Sequence, residues 1–329
     1  MIVSLFVLAT GCVTERPQGD DDGEGSGSGS GTAIDSSWLS SKYVAAIAAD
    51  ETHVYFSGES AGNVSRVPLG GGTPEVLYTA PVATGNAYSL IQNIYLGTSD
   101  IAFVVDESDI AAGTKKRTLF TIPKNGGTAK QLSTSSDSRS YLGVTLEGSY
   151  VYFSTFTSLL RVPIAGGTVQ LVGQSPNSVR YWAFSPTIIA GQLYWAESSV
   201  IYRIAADAID DEGTPFADLP GGATILGTTP TSLVVGLSEP FGLYDPSTKF
   251  AQVDLAAGTV SAPISFPKEI QAATVAGNDV FASTFDGLVR VPMNGGASVS
   301  LAMEMGLALT ASKDYVFVGT DTGITRIER

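Results

Sequence analysis

The residue types that most often carry chemistry in proteins are scarce in this chain. Its 329 residues include one cysteine, Cys12, and one histidine, His53. A hydrolase of the serine or cysteine type needs a base beside its nucleophile, whereas His53 directly precedes a short apolar run that is typical of a buried strand. We therefore expect His53 to have a structural role. The counts of histidine and cysteine also exclude a metal site built from clusters of these residues.

Two groups of acidic residues offer the oxygen ligands that calcium prefers. They comprise Asp106, Glu107 and Asp109 in one segment, and Asp207, Asp210, Asp211 and Glu212 in another. Neither group has the spacing of a known calcium loop. We favour the interpretation that both segments are solvated acidic loops, and we predict neither a bound metal nor a cofactor.

Arginine recurs at one register of a repeated segment. It occurs as Arg66, Arg161, Arg203, Arg290 and Arg326, while Thr121 and Gln252 occupy the same register in two further copies. A ring of cations for an anionic ligand is one interpretation. The alternative, which we favour, is that each arginine stem packs along its own strand while the guanidinium group meets a carboxylate or solvent.

The longer segments between the predicted strands contain the remaining candidates for binding. These segments are 80–89, 106–117, 133–140, 173–186 and 238–249. Segment 173–186 contains Arg180-Tyr181-Trp182, and arginine and aromatic residues are the types that anchor protein interfaces. Together with Tyr88 and Arg139, these residues predict a binding face for a protein or a glycan. Trp182 has an alternative interpretation as a core residue.

The elements that must position these residues are repeated along the chain. Seven copies of a short apolar run begin at Val54, Ile101, Val151, Leu193, Leu233, Val280 and Val316, with an average spacing of about 44 residues. A period of roughly 40 to 50 residues is the size of a four-stranded propeller blade. The spacing therefore predicts an array of blades rather than one continuous sheet.

Each copy indicates four β-strands. Runs such as Val151-Tyr152-Phe153 are β-branched or aromatic without alternation, which is typical of strands buried on both faces. A second apolar run ends in Pro68, Pro123, Pro163 or Pro292 in four copies, and glycine-rich segments follow. We predict two-residue hairpin turns there, with positive φ at both glycines. One run before each copy and one after the glycines complete the unit.

The copy that begins at Val316 is followed by one further strand, and segment 31–40 is similar to the fourth strand of the other copies. We predict that this segment pairs with the last copy, because closure of the ring leaves no open sheet edge. The expected fold is therefore all-β: a seven-bladed β-propeller of four-stranded antiparallel blades over residues 34–329, with the N-terminal strand completing the last blade.

The first residues, "MIVSLFVLATGC", form an apolar run that is too short to span a bilayer. The order Leu8-Ala9-Thr10-Gly11-Cys12 resembles the lipobox of bacterial lipoproteins. The resemblance implies that residues 1–11 are a signal peptide and that Cys12 carries lipid. Residue 13 is valine rather than the aspartate that retains some lipoproteins at the inner membrane, which favours the outer membrane. The alternative is an ordinary secretion signal with a chance cysteine.

The segment that follows Cys12 is rich in glycine, serine and aspartate. Such a composition cannot bury enough apolar surface to become ordered, so residues 12–33 are expected to be the lipidated cysteine and a flexible tether. The net charge of the whole chain is −14, with 32 acidic and 18 basic residues and no basic run. This balance argues against nucleic acid as a partner.

The motif "LYWAE" at 193–197 resembles the YWTD repeats of receptor propellers, and the pattern of residues 34–329 is similar to the TolB-like and YWTD-like β-propeller group. The resemblance implies the fold but not the function, since such propellers host binding, scaffolding and hydrolysis alike. We expect a monomeric, non-enzymatic binding or scaffolding module at the cell envelope, attached to the membrane through lipid only. The alternatives are an envelope hydrolase or lyase and a structural member of an envelope complex.

Overall fold

The computed structural model describes residues 33–40, 43–58, 62–81, 87–109, 113–136, 141, 143–155, 158–174, 184–238, 247–301 and 306–329. The regular elements of these residues are all β-strands. None of the described residues belongs to a helix of the length and apolar character that crossing a membrane requires.

The strands form seven sheets, each with four antiparallel strands. Blade 1 contains β2 (Ala46–Ala49), β3 (His53–Ser57), β4 (Asn63–Pro68) and β5 (Glu75–Thr79). Blade 2 contains β6 (Ala87–Leu96), β7 (Asp100–Asp109), β8 (Thr114–Pro123) and β9 (Lys130–Ser135). Blade 3 contains β10 (Val144–Glu147), β11 (Tyr150–Ser154), β12 (Ser158–Pro163) and β13 (Gln170–Gln174). Blade 4 contains β14 (Phe184–Ile189), β15 (Gln192–Glu197), β16 (Val200–Ala205) and β17 (Thr214–Asp218).

The remaining three blades follow the same order. Blade 5 contains β18 (Gly222–Thr228), β19 (Ser232–Ser238), β20 (Lys249–Asp254) and β21 (Ile264–Ser265). Blade 6 contains β22 (Ile270–Ala276), β23 (Asp279–Thr284), β24 (Gly287–Pro292) and β25 (Val299–Leu301). Blade 7 contains β26 (Ala308–Ala311), β27 (Tyr315–Gly319) and β28 (Gly323–Glu328), and its fourth strand is β1 (Ile34–Ser40).

The seven blades form a closed ring. The first strands of neighbouring blades contact one another all the way round, in the order β2, β6, β10, β14, β18, β22, β26 and back to β2. Seven apolar clusters lie between the blades, one at each junction. Each second strand is therefore buried on both faces, and Val151 and Val280, for example, are fully buried. The predicted seven-bladed β-propeller is confirmed.

The ring closes through the strand contributed by the start of the domain. β1 runs antiparallel to β28, with Ile34 opposite Ile327 and Ser40 opposite Gly323. Leu39 of β1 is buried in the cluster between blades 7 and 1, and Trp38 packs on Phe317 with ring centroids 5.0 Å apart. Because these side chains belong to the core, the predicted closure by the N-terminal strand is confirmed.

The glycine pairs have the predicted positive φ but form a different turn. In Gly71-Gly72 and Gly126-Gly127 both φ angles are positive, at 87° and 124° and at 87° and 132°. The prediction of two-residue hairpins is wrong, because six residues, 69–74, separate β4 from β5. Instead, the Pro68 carbonyl accepts a hydrogen bond from Gly71 N at 2.8 Å, so the first glycine closes a turn that begins at the proline.

The antiparallel order sorts the connections onto two faces of the ring. We call the loop face the one where each second strand connects to its third strand and each blade connects to the next. The turn face is the opposite one, with the other two connections of each blade. The strands that flank the longer segments named above place both ends of each segment on the loop face. Segment 106–117 is not a loop, however, since β7 continues to Asp109 and β8 begins at Thr114.

Candidate functional site

The predicted binding residues are only partly within the described structure. Tyr88 lies at the loop-face end of β6, and 41% of its surface is exposed. Arg139, Arg180, Tyr181 and Trp182 lie outside the described residues, as does the predicted lipidation site at Cys12. The structure therefore places one member of the predicted set on the expected face, and its role in binding remains a prediction.

Exposed apolar residues are distributed unequally between the two faces. Among the described residues, the exposed large aromatic side chains are Tyr43, Tyr88 and Phe285, and all three lie on the loop face. The exposed large aliphatic side chains instead lie at the start of a fourth strand or in the connection that leads to it: Ile34, Val76, Val169, Ile209 and Val299. Sequence reasoning missed Tyr43 and Phe285, since neither residue belongs to a long segment between strands.

The three aromatic residues occupy one arc of the ring. Phe285, which is 68% exposed, lies in the turn between β23 and β24 of blade 6. Tyr43 precedes β2 of blade 1, and its backbone N donates a hydrogen bond to Asp321 O of blade 7 at 3.0 Å. Tyr88 belongs to blade 2. The exposed aromatic surface therefore spans blades 6, 7, 1 and 2 of the loop face.

Blade 2 extends beyond the ring on this face. Its strands β6, β7 and β8 are ten residues long, whereas the second strands of the other blades have five to seven. Val105 and Thr118 are the last buried pair of the hairpin, at 2% and 1% exposure. We call residues 87–90, 106–109 and 114–117 the blade-2 projection. Four residues of strand extend it by about 13 Å.

The two sides of the blade-2 projection face different neighbours. Ala102 and Val104 of β7 belong to the apolar cluster with blade 3, whereas Phe103 and Val105 belong to the cluster with blade 1. Because side chains alternate along a strand, residues 106 and 108 continue the blade-3 side and residues 107 and 109 continue the blade-1 side. In agreement, burial and the negative charge of Glu107 both raise the pKa of Tyr78 in blade 1.

Two of the three acidic residues of the blade-2 projection, Asp106 and Glu107, form ion pairs across the hairpin. Arg117 donates from Nε and Nη2 to the two carboxylate oxygens of Asp106, at 2.6 and 2.9 Å. Lys116 Nζ lies 2.8 Å from Glu107 Oε2. Since neighbouring residues of a strand point to opposite sides, Asp106 and Glu107 do not converge on one ion. Across the described part of the chain, no group of three or more His, Cys, Asp or Glu residues has an arrangement that holds a metal.

The second acidic segment, 207–212, is hydrogen-bonded to the fourth strand of blade 3. The backbone N of Asp210 donates to Leu171 O at 3.3 Å, and that of Asp211 donates to Val172 O at 3.2 Å. The Asp211 carboxylate accepts a hydrogen bond from Gly213 N at 2.9 Å. This segment therefore extends the sheet contacts of blade 3 on the turn face.

At the recurring arginine register, five of the seven blades donate a side-chain hydrogen bond to the next blade. In five blades, the side chain at this register donates to the backbone carbonyl that directly follows the third strand of the next blade. The pairs are Arg66 with Lys124 O, Thr121 with Ile164 O, Arg161 with Ala206 O, Gln252 with Met293 O and Arg326 with Leu69 O. Polar groups that are used in this way are not available to a ligand.

The other contacts of these arginines are also internal. Arg66 pairs with Glu75 at 2.7 Å, and Arg161 lies 4.5 Å from the Tyr150 ring. Arg203 lies 4.7 Å from the Phe216 ring. Arg290 differs, since its buried Nε has no hydrogen-bond partner among the described residues. The register therefore serves contacts between and within the blades, and the interpretation as a cation ring for a ligand is not supported.

His53 lies beside the most perturbed carboxylate of the described residues. Asp50 accepts hydrogen bonds from Lys124 Nζ at 2.9 Å, from Tyr55 Oη at 3.2 Å and from the backbone N of His53 at 2.9 Å. Burial opposes ionisation of Asp50, but the hydrogen bonds from Lys124 and Thr52 outweigh it and hold its pKa well below the ordinary value. Because Lys124 belongs to blade 2, this network fastens two blades at the turn face.

A groove of about 600 Å³ lies between blades 6 and 7 on the turn face. Its lining includes three carboxylates, Asp279, Asp314 and Glu328, together with Lys313 and Arg329. Arg329 donates through Nη1 to the carbonyls of Ser312 and Lys313, at 3.1 and 2.6 Å. The lining contains no histidine, cysteine, serine or threonine, and its charges have no common sign. The groove therefore carries less indication of a ligand than the loop face does.

The fold and the exposed surface define the protein as a seven-bladed β-propeller whose last blade is completed by the first strand of the domain. No protein-family model and no curated protein sequence matches the chain. Solved structures do match, and they include 659 chains. A fold that occurs this widely does not by itself select a function.

Three of the matching structures illustrate the range. The extracellular domain of the one-component system BT4673 from B. thetaiotaomicron aligns with a TM-score of 0.60 and 13% identity, over 88% of this chain and 38% of that one. The structure of YCF48 bound to D1 peptide has a TM-score of 0.59 and 13% identity, over 88% and 94%. BamB from Moraxella catarrhalis has a TM-score of 0.51 and 12% identity, over 86% and 84%. At such identities the similarity shows the fold alone.

Proposed function

We propose that the protein is an envelope-held β-propeller that binds another protein through its loop face and catalyses no reaction. One observation carries this proposal: the exposed aromatic residues Tyr43, Tyr88 and Phe285 all lie on the loop face. Exposed aromatic side chains are enriched at protein interfaces, because they bury a large area at a small cost in conformational entropy. The blade-2 projection extends beyond the ring on this face and provides a second surface for contact with the partner.

The comparisons agree with a binding role without establishing it. One of the similar propellers is described with a bound peptide, the D1 peptide on YCF48. Another is an extracellular domain. For the present chain, the proposal relies on its own surface, since identities of 12 to 13% carry the fold only.

The residues of the first strands favour a binding protein over a hydrolase or a lyase. An enzyme on this scaffold needs ionisable side chains that converge near the axis of the ring. Within the described first strands, the one carboxylate is Glu147, at the turn-face end of β10. One position of the first strand pairs with the second residue of the apolar run in the second strand. In six of the seven blades this position carries a small or hydroxyl residue: Ala48, Thr145, Thr187, Gly227, Thr274 and Thr310.

A test of the binding proposal compares the two faces. A photoreactive phenylalanine analogue replaces Phe285 on the loop face and, in a matched control, Ile209 on the turn face. The two native residues are similarly exposed, at 68% and 63% of their surface. After irradiation of intact cells, position 285 should give a protein adduct of defined mass and position 209 should not. Adducts from neither position, or equal adducts from both, would contradict the proposal.

The anchoring part of the proposal has a separate test. It relies on the resemblance of residues 8–12 to a lipobox. Long acyl chains hold a protein at a bilayer in proportion to the number of buried methylene groups. We expect Cys12→Ser to move the protein from the membrane fraction to the soluble fraction, with the propeller still folded. If the variant stays in the membrane fraction, lipid at Cys12 is not the anchor.

A further inference from the structure

The geometry points to a specific chemistry for the partner: a polypeptide segment that places an acidic side chain between Tyr88 and Lys115, on the blade-3 side of the blade-2 projection. This inference rests on the proposed function, because it names what the loop face recognises. The register of the blade-2 strands, the ion pairs of the projection and the exposure of three residues carry it.

The register places one lysine without an acidic partner. Across β7 and β8, Arg117 lies opposite Asp106 and Lys116 lies opposite Glu107, whereas Lys115 lies opposite Ser108. Directly opposite residues of an antiparallel pair share a face of the sheet. Two of the three consecutive cations are therefore neutralised by the strand beside them, and the third is not.

No other carboxylate of the described residues neutralises Lys115. Its ammonium group takes part in none of the ion pairs formed there. The acidic residue diagonally across from it on the same side is Asp106, and both oxygens of that carboxylate are held by Arg117. Lys115 is exposed to solvent. It therefore presents a full positive charge at the surface.

The two sides of the projection carry opposite net charge. The blade-3 side contains Asp106, Lys115 and Arg117, and the register gives it one net positive charge. The blade-1 side contains Glu107, Asp109 and Lys116, which gives one net negative charge. The whole chain carries a net charge of −14, so the sign of this side is opposite to that of the protein as a whole. An anionic group is attracted to the blade-3 side and repelled by most of the remaining surface.

The residues beside Lys115 leave room for a side chain of the partner. Tyr88 lies opposite Ser108, and Ser108 lies opposite Lys115, so the three residues form one row across three strands. Adjacent strands lie about 4.8 Å apart, which places the outer two residues about 10 Å from each other. The small serine between two long side chains leaves a notch. A carboxylate in it is able to reach the Lys115 ammonium and accept hydrogen bonds from the Ser108 and Tyr88 hydroxyls.

The hydroxyl groups are also available for such contacts. Tyr88 and Ser108 make no hydrogen bond through their side chains with the rest of the described structure. The next row, with Asp106 and Arg117, is closed by its own bidentate pair, and Arg117 also lies 3.4 Å from Gln92 Oε1. The notch is thus bounded on the ring side by a rigid pair of charges.

A library of random twelve-residue peptides displayed on phage tests this inference with a defined probe. Peptides selected on the unmodified protein should be enriched in aspartate and glutamate relative to the library. A selected peptide, made synthetically, should lose affinity by about tenfold or more on Lys115→Glu, because attraction is replaced by repulsion. The matched control Lys313→Glu, at an exposed site on the turn face, should change the affinity by less than about twofold.

The outcomes separate the inference from the proposed function. If selected peptides lose affinity on Phe285→Ser or Tyr88→Ser, but are not acidic and do not respond to Lys115→Glu, the inference is wrong and the loop face remains a binding surface. If no peptide is selected, or no loop-face variant changes the affinity, both the inference and the proposed function are overturned. Because Lys115 is exposed and makes no ion pair with the described residues, its substitution should leave the fold intact.

Discussion

At the scale of single residues, a side chain and a backbone carbonyl hold neighbouring blades together. The donors occupy one register of the third strand, and the acceptor is the carbonyl directly after the third strand of the next blade, as for Arg161 and Ala206. The regular spacing of the donors is visible in the sequence. The acceptors are not, because a carbonyl has no residue type and its position depends on how two blades dock.

The register contains a natural comparison between a satisfied and an unsatisfied arginine. Arg161 donates to Ala206 O at 3.1 Å and to Gln170 Oε1 at 2.9 Å, whereas the buried Nε of Arg290 has no partner in the described residues. Arg161→Met should lower the free energy of unfolding by about 2 kcal/mol, since it removes two charge-assisted hydrogen bonds. Arg290→Met should cost less than about 0.5 kcal/mol or stabilise the protein.

Urea denaturation of both variants beside the unmodified protein provides the measurement. Methionine keeps most of the apolar stem in each case, so the difference isolates the guanidinium group. Equal losses for Arg161→Met and Arg290→Met would show that the carbonyl contacts contribute nothing measurable to the ring.

At the scale of the secondary-structure elements, blade 2 is the exception to the repeat. Its segment 106–117 has the composition of a loop, since six of its twelve residues are charged. In the structure most of it is strand, because Asp106 with Arg117 and Glu107 with Lys116 pair across the hairpin. A strand that extends beyond the core needs no apolar alternation, so the usual sequence signal for a strand is absent.

Because the blade-2 projection lies beyond the apolar clusters, its removal should barely affect the stability of the ring. Residues 107–116 are replaced by Asn-Gly, which joins the paired residues Asp106 and Arg117 through a two-residue turn. The midpoint of thermal unfolding should change by less than about 3 °C, and any peptide that binds the loop face beside Tyr88 should lose most of its affinity.

A buried residue of the same hairpin serves as the control for this variant. Val105, directly below the projection, is 2% exposed. Val105→Ala removes apolar contacts from the cluster between blades 1 and 2, so it should lower the midpoint further than the shortened hairpin does. The reverse order would mean that the projection belongs to the folding core.

At the scale of the whole molecule, one strand determines whether the ring is closed. β1 is far from β28 in sequence and adjacent to it in the fold, with Asp35 opposite Arg326. Two of its side chains, Trp38 and Leu39, pack into the cluster between blades 7 and 1. The closing contact is therefore continuous with the core.

Two substitutions in this strand distinguish packing from exposure. Leu39 is 9% exposed and Ile34 is 40% exposed. Leu39→Asp should lower the free energy of unfolding by about 3 kcal/mol or more, because it places a charge in an apolar cluster. Ile34→Asp, at the start of the same strand, should change it by less than about 1 kcal/mol.

Chemical denaturation followed by tryptophan fluorescence is a suitable measurement, since Trp38 lies 5.0 Å from Phe317 at the closure. If Leu39→Asp is as stable as the unmodified protein, β1 contributes nothing to ring stability and the closure is incidental.

Local pattern alone determined the blades: their number, the start of each second strand and the strand that closes the ring. These features depend on short apolar runs that repeat at a near-constant spacing, and burial on both faces requires the same residue types in every copy. The tertiary structure alone decided which exposed residues share a face, and which lysine of blade 2 lacks an opposing carboxylate. Those facts depend on cross-strand register and on the docking of blades, where residues distant in sequence meet and leave no periodic signal along the chain.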